Sequence, residues 1–223
     1  MLRVHYWHEP VDYAEAYGIQ QRLWSQNVAG EIPDALLLLG HPPTFTIGKS
    51  GKLENLLIAS EELARAGMRL FFTDRGGDIT YHGPGQVVAY PIIDLRKRGK
   101  DVHGYVHDLE EVVIRTLADF SIEAHRDQKH VGVWVDDEKI AAIGVRIRRW
   151  VTMHGLALNV KPSLEHFSYI NPCGIANRGV TSIARILSRD VPTEDVINRL
   201  VNHFSEVFAV EVEWAAERAL RYG

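Results

Sequence analysis

Four glycines and a proline crowd into twelve residues, Arg75-Gly-Gly-Asp-Ile-Thr-Tyr-His-Gly-Pro-Gly-Gln86. Glycine serves where the backbone takes positive φ or passes close to another group. Pro84 fixes one φ and removes one donor. The flanking runs, Met68 to Thr73 and Val87 to Asp94, read as buried strands. Two readings follow. Glycine and proline punctuate ordinary turn-rich connectors. A dozen residues is long for a plain hairpin, however, and long ordered loops in compact domains are usually functional. On that second reading the segment is a rigid pocket rim, with N–H groups beside Arg75, Asp78, His82 and Gln86.

A chain of 223 residues can build a sizeable core and is most simply one domain, residues 1–223. A net charge of −4 gives no global basic excess to suggest nucleic acid. The start, Met-Leu-Arg-Val-His-Tyr-Trp-His, lacks the apolar core of a secretory signal. The longest apolar run, Ala35 to Leu39, is too short to span a bilayer. A cytoplasmic protein without membrane contact is expected, and a monomer, since no long exposed apolar stripe is evident.

Strands are predicted over Leu2 to Tyr6, Ala35 to Leu39 and Thr44 to Ile47, with a helix from Val11 to Val28. Ser60 can cap a helix over Glu61 to Ala66, ended by Gly67. Asp101 precedes a long amphipathic helix to about Phe120, with Tyr105, Leu109, Val112, Val113 and Leu117 at helical spacing. Strand-like runs follow over Val131 to Val135, Lys139 to Arg148 and Thr152 to Val160, the first two joined by an Asp136-Asp137-Glu138 turn. Pro192 and Thr193 open a last helix toward Phe208. Hairpins mixed with helical crossovers favour an α/β (α+β) fold, a mixed β-sheet sandwich flanked by helices, over a doubly wound nucleotide fold.

Several motifs carry chemistry. Cys173 is the single cysteine, which excludes an intrachain disulfide and a multi-cysteine zinc site. It reads either as a small buried apolar residue or as a nucleophile held on a stiff Asn-Pro-Cys-Gly corner. Gly48-Lys49-Ser50 resembles the end of a phosphate-binding loop, but Pro43 stands where that motif needs glycine. His103 and His107 are one helical turn apart without a metalloprotease pattern, so a solvated face is favoured over a metal site. If its strand alternates regularly, Lys139 shares a face with Ala141, Ile143, Val145 and Ile147, either snorkelling to solvent or held near a site. Ala141, Ala142 and Gly144, and again Gly155-Leu156-Ala157, leave room for an apolar ligand. Residues 139–161 carry Lys139, Arg146, Arg148, Arg149 and Lys161 and no acid. That is either a protected sheet edge or a patch for an acidic macromolecule.

Together the glycine segment, Lys139 with Ala142-Ile-Gly-Val-Arg-Ile-Arg148, His154-Gly-Leu-Ala-Leu-Asn-Val160, and Pro172-Cys-Gly174 followed by Val180-Thr-Ser182 resemble the lipoyl(octanoyl) transferase family, also called lipoate-protein ligase B. The opening His41-Pro-Pro-Thr-Phe-Thr46 also fits, although Gly40 stands where an acidic residue is expected. The resemblance implies a fold like the catalytic domains of biotin and lipoate ligases. It implies transfer of an octanoyl (or lipoyl) group from acyl carrier protein to a specific lysine of lipoyl domains, those of 2-oxoacid dehydrogenase complexes and the glycine cleavage H protein. No cofactor and no metal are implied. Carried over by position, Cys173 is the acyl acceptor and Lys139 its partner. Arg75, Gly76, Gly77, Asp78, Ile79, Thr80, Tyr81 and His82, with Ala142, Ile143 and Gly144 and with Gly155, Leu156 and Ala157, would line the acyl pocket.

The chemistry converges with this. A free thiol has a pKa of about 8.5, so little thiolate exists at neutral pH. A neighbouring ammonium favours the thiolate, and once Cys173 is acylated the same amine can serve as base. Three alternatives share parts of the pattern: an ATP-dependent lipoate or biotin-type ligase, an acyl-thioesterase, and a non-catalytic carrier-binding module.

Overall fold

The computed structural model describes residues 1–171 and 178–215. In chain order come β1 (Leu2–Tyr6), α1 (Tyr13–Ala29), β2 (Asp34–Leu39), β3 (Thr44–Ile47), α2 (Ser60–Arg65), β4 (Arg69–Phe72) and β5 (Ile79–His82). Then follow β6 (Gln86–Ile92), α3 (Val102–Ala118), β7 (His125–Arg126), β8 (Val133–Val135), β9 (Glu138–Arg148) and β10 (Val151–Asn159). The described chain closes with α4 (Ile183–Leu187), α5 (Thr193–Val207) and β11 (Val212–Trp214).

All seven residues of β6 are buried, as expected of a strand covered on both faces. It lies near the middle of an eight-stranded sheet ordered β11-β1-β2-β6-β10-β9-β8-β7. The β11–β1 and β1–β2 pairs are parallel and the rest antiparallel. Strand alternation divides the core in two. Leu36, Leu38, Val87 and Leu158 meet α3 and α5 through Leu109, Val113, Leu200 and Phe204. Leu37, Leu39, Val88 and Met153 meet α1 through Ile19 and Leu23. Each fully buried leucine of this kind contributes roughly 1.5–3 kcal/mol. Helix α3 starts where Asp101 accepts from the Gly104 N–H at 2.9 Å, the N-cap bond expected of that residue type.

A second sheet, ordered β4-β3-β5, has β3 antiparallel to β5 and parallel to β4. Its Phe45, Ile47, Ile79 and Tyr81 pack with Leu63 and Ile170 in a cluster of their own. The alternate residues Thr44, Thr46, Thr80 and His82 make the other face. The fold class expected from sequence, a mixed sheet with helices on its faces, is the one observed. No helix among the described residues is long and apolar enough to cross a membrane.

Three local expectations change. The middle of the glycine segment is a strand, β5; its partner β3 lies more than thirty residues away, so local glycine signals cannot reveal it. Strand β4, expected to be buried, is an edge strand with Phe72 at 70% exposure. Ser60 is the first residue of α2, and the cap position falls on Ala59.

Candidate active site

A cavity of about 300 Å³ opens beside the second sheet and the small-residue part of β9 and β10. That volume is at the lower end of ordinary ligand sites. The glycine segment contributes Arg75, residues 77–80 and His82 to its wall; β9 contributes Lys139 and residues 142–144; β10 contributes residues 155–157. Gly76 and Tyr81 do not line it. The Gly76 N–H donates to the Val145 carbonyl at 2.8 Å, and Tyr81 is buried in the cluster with Phe45 and Ile79, sharing a hydrogen bond with His166 Nδ1 at 2.7 Å.

Regular alternation would put Lys139 on the α3 face with Ala141. The structure puts it on the cavity wall instead, through a register shift. Val133 pairs with Ala141 but Trp134 pairs with Lys139, leaving Ile140 as an extra residue of β9. Ile140 and Ala141 both enter the α3 side of the core. Such a bulge re-aims what precedes it, so Lys139 joins Ala142 and Gly144. Its Nζ donates to the Val131 carbonyl at 3.1 Å and lies 4.8 Å from the centre of the Trp134 ring, a favourable place for a cation. Its backbone is clamped as well: the Lys139 N–H donates to Gly179 O and its carbonyl accepts from Thr181 N–H, both at 3.0 Å.

The strip beyond Lys139 is bare because close neighbours exclude side chains. A Cβ on Gly144 would meet Gly76 O at 2.8 Å and Arg75 Cδ at 3.2 Å. A Cβ on Gly155 would meet Ala89 O at 2.2 Å and Pro91 Cδ at 2.6 Å. Pro91 has no N–H to give, and the β6–β10 ladder runs only from Leu156 to Asn159. There His154 takes φ 58°, the left-handed region that non-glycine residues seldom enter. The twist carries its ring to the cavity and the α1 side, stacked on Tyr17 at 5.7 Å.

The polar side chains of the glycine segment mainly hold the segment together. Arg75 is buried, with Nε and Nη2 donating to Thr46 Oγ1 and Nη2 to Thr46 O at 2.7 Å. Asp78 accepts from Asn55 Nδ2 at 2.6 Å and from the Ile79 N–H at 2.7 Å. The N–H groups of Gly48, Lys49 and Ser50 donate to the carbonyls of Asp78, Arg75 and Gly77. The phosphate-loop look-alike is therefore the brace of the glycine segment. Gln86 Nε2 donates to Asn159 Oδ1 at 2.9 Å, and Asn159 Nδ2 to Thr181 O at 3.0 Å, tying the segment to the strand beside Lys139.

Sequence reasoning named His82 but missed the histidine–tyrosine cluster it belongs to, in which Tyr13, His82 and Tyr90 line the cavity and His41 packs against all three. His41 Nδ1 lies 2.7 Å from Val11 O, so Nδ1 carries the proton; Nε2 then accepts from the Tyr90 hydroxyl at 2.7 Å. Burial lowers the His41 pKa to about 4. Burial, then the proximity of His41 and Arg75, holds His82 far below the ordinary histidine value. Tyr90 is pushed well up by burial. His154 Nε2 donates to Asp74 Oδ1 at 2.8 Å, yet burial outweighs this bond and lowers its pKa. The His154 bond, with Arg146 at 3.0 Å, keeps Asp74 ionised. Pairing across distant segments made these roles invisible in the linear pattern.

One expectation falls outside what the structure describes. Cys173, with Pro172 and Gly174, lies outside the described residues. Ile170 before that segment and Arg178, Gly179 and Val180 after it all line the cavity. The acid-free stretch 139–161 meets its acids in space: Arg146 pairs with Asp74 and Lys161 with Asp190 at 2.8 Å. His103 and His107 are exposed on α3, and no metal-holding cluster occurs among the described residues.

The sequence profile of the lipoyl protein ligase A/B catalytic domain matches residues 12–205. The chain belongs to this family. An octanoyltransferase of Caldicellulosiruptor saccharolyticus is 49% identical over 214 residues, covering 95% of this chain and 91% of that protein. A lipoate-protein ligase A solved with ATP superposes with a TM-score of 0.79 at 16% identity, over 96% of this chain and 89% of its own. The biotin protein ligase of Aquifex aeolicus gives a TM-score of 0.53 at 12% identity, over 93% of this chain and 69% of its own. The two ligases share the fold.

Proposed function

We propose that this protein is an octanoyltransferase of lipoate biosynthesis. It takes the octanoyl group from a carrier-protein thioester and delivers it to a lysine of a lipoyl domain, in the cytoplasm, through a thioester on Cys173. The observation that carries this reading is Lys139 set on the wall of an apolar-floored cavity, with the residues flanking the Cys173 segment on that same wall. Gly179, whose carbonyl is bonded to Lys139, stands six positions after Cys173; that span reaches at most about 20 Å.

The chemistry balances with these two groups. The Cys173 thiolate attacks the octanoyl carbonyl, the bond to the carrier sulfur breaks, and the Lys139 ammonium protonates the departing thiolate. Lys139 is then a neutral amine. It removes the proton from the incoming lysine amine as that nitrogen attacks the Cys173 thioester, and the thiolate is restored. Thioester exchange is close to isoenergetic and amide formation is downhill, so no nucleotide takes part.

Intact-mass analysis after mixing with octanoyl-carrier protein alone tests this. An octanoyl adduct is expected on the wild type and none on Cys173→Ala. A nucleotide-free mixture that leaves wild-type Cys173 unmodified overturns the reading.

A further inference from the structure

One indole ring holds two cations at the cavity. Trp134 lies directly opposite Lys139 in the β8–β9 pair, which puts the two side chains on the same face. Lys139 Nζ is 4.8 Å and the Arg178 guanidinium carbon 4.3 Å from the ring centre. The ring itself is pinned. It is 1% exposed, and its Nε1–H donates to the His130 carbonyl at 3.2 Å. Arg178 is clamped in turn, Nη1 donating to Asp127 Oδ2 at 2.6 Å and Nη2 to Asp137 Oδ1 at 3.0 Å.

A lysine head rides on a flexible four-carbon stem, and reacting geometry is sensitive to displacements of about 1 Å. A lysine that serves as acid and then as base therefore needs walls. Gly132 leaves room for the stem: a Cβ there would meet Lys139 Cε at 3.3 Å and Cδ at 3.5 Å. The Val131 carbonyl and the Trp134 ring hold the Nζ end. A carbonyl oxygen and a ring face both present negative charge, so they favour the ammonium as well as fix its place. The ammonium is the form that favours a thiolate and that protonates a departing sulfur.

We propose that Trp134 is the positioning residue for Lys139, its ring holding the ammonium where acylation uses it. This rests on the acyl-transfer reading above.

The test is a double-mutant cycle read by the rate at which octanoyl-carrier protein alone acylates Cys173. All rates are taken at about pH 8, where a free thiol of pKa about 8.5 is part ionised without help. Trp134→Leu should lower the rate about tenfold when Lys139 is present. In Lys139→Ala, with no ammonium left to hold, the same change should cost less than about twofold. Trp134→Phe, which keeps a ring face, should retain about a third of the rate or more. Thermal unfolding shows which variants fold. Protein made with fluorinated tryptophan carries the same comparison should Trp134→Leu not fold, because fluorine withdraws charge from the ring face at nearly constant volume; its acylation should slow with Lys139 present and not in Lys139→Ala. Equal losses with and without Lys139, or no loss in either, overturn the inference while octanoyl transfer stands. A wild type that forms no adduct overturns the acyl reading and this inference with it.

Discussion

Lowering the pH should unfold this protein partly through His41. The ring is fully buried, bonded on both nitrogens, and has a folded-state pKa of about 4. In the unfolded chain the value is about 6.5. A depressed folded pKa means that the stabilisation is complete above the unfolded value and is lost as pH falls toward the folded one. Integrating the proton linkage from pH 7 to pH 5 gives a loss of about 2 kcal/mol from this one ring. The perturbation is His41→Gln, which cannot titrate. Urea unfolding at pH 7 and pH 5 supplies four free energies. The wild type should lose about 2 kcal/mol more than the variant over that interval, because carboxylate contributions cancel in the comparison. Parallel losses in the two proteins would refute a neutral, desolvated His41 and with it the account of the cluster around Tyr90 and His82.

Other outcomes follow from the site. Gly144→Ala should push a methyl against Gly76 O and Arg75 Cδ, cost about 1–3 kcal/mol as an overpacked position, and cut octanoyl transfer at least tenfold on the ~1 Å displacement sensitivity of reacting geometry; denaturant midpoints and steady-state rates read both. Lys139→Ala should move the pH optimum of Cys173 acylation upward, because the thiolate loses its cationic partner. An unchanged profile in adduct formation against pH excludes that pairing.

The linear order of residues determined a good deal by itself. The continuous apolar run Val87 to Asp94, the Asp101 cap and the stripe Tyr105, Leu109, Val112 and Leu117 place a strand and a helix because local sterics and the burial of apolar side chains leave few options. Motif order also pointed to the family, since Cys173, Lys139 and the glycine segment are local patterns. Tertiary structure alone decided where those patterns aim. Only pairing with Trp134 reveals the extra residue at Ile140 that turns Lys139 to the cavity. Only the approach of Ala89 and Pro91 explains why Gly155 is bare, and only the folded backbone shows His154 in the left-handed region beside it. Arg146, unpaired in the linear pattern, finds Asp74 more than seventy residues away. The physical reason is common to all three: a side chain's direction and its charge partner are set by packing against remote strands, which no window along the chain contains.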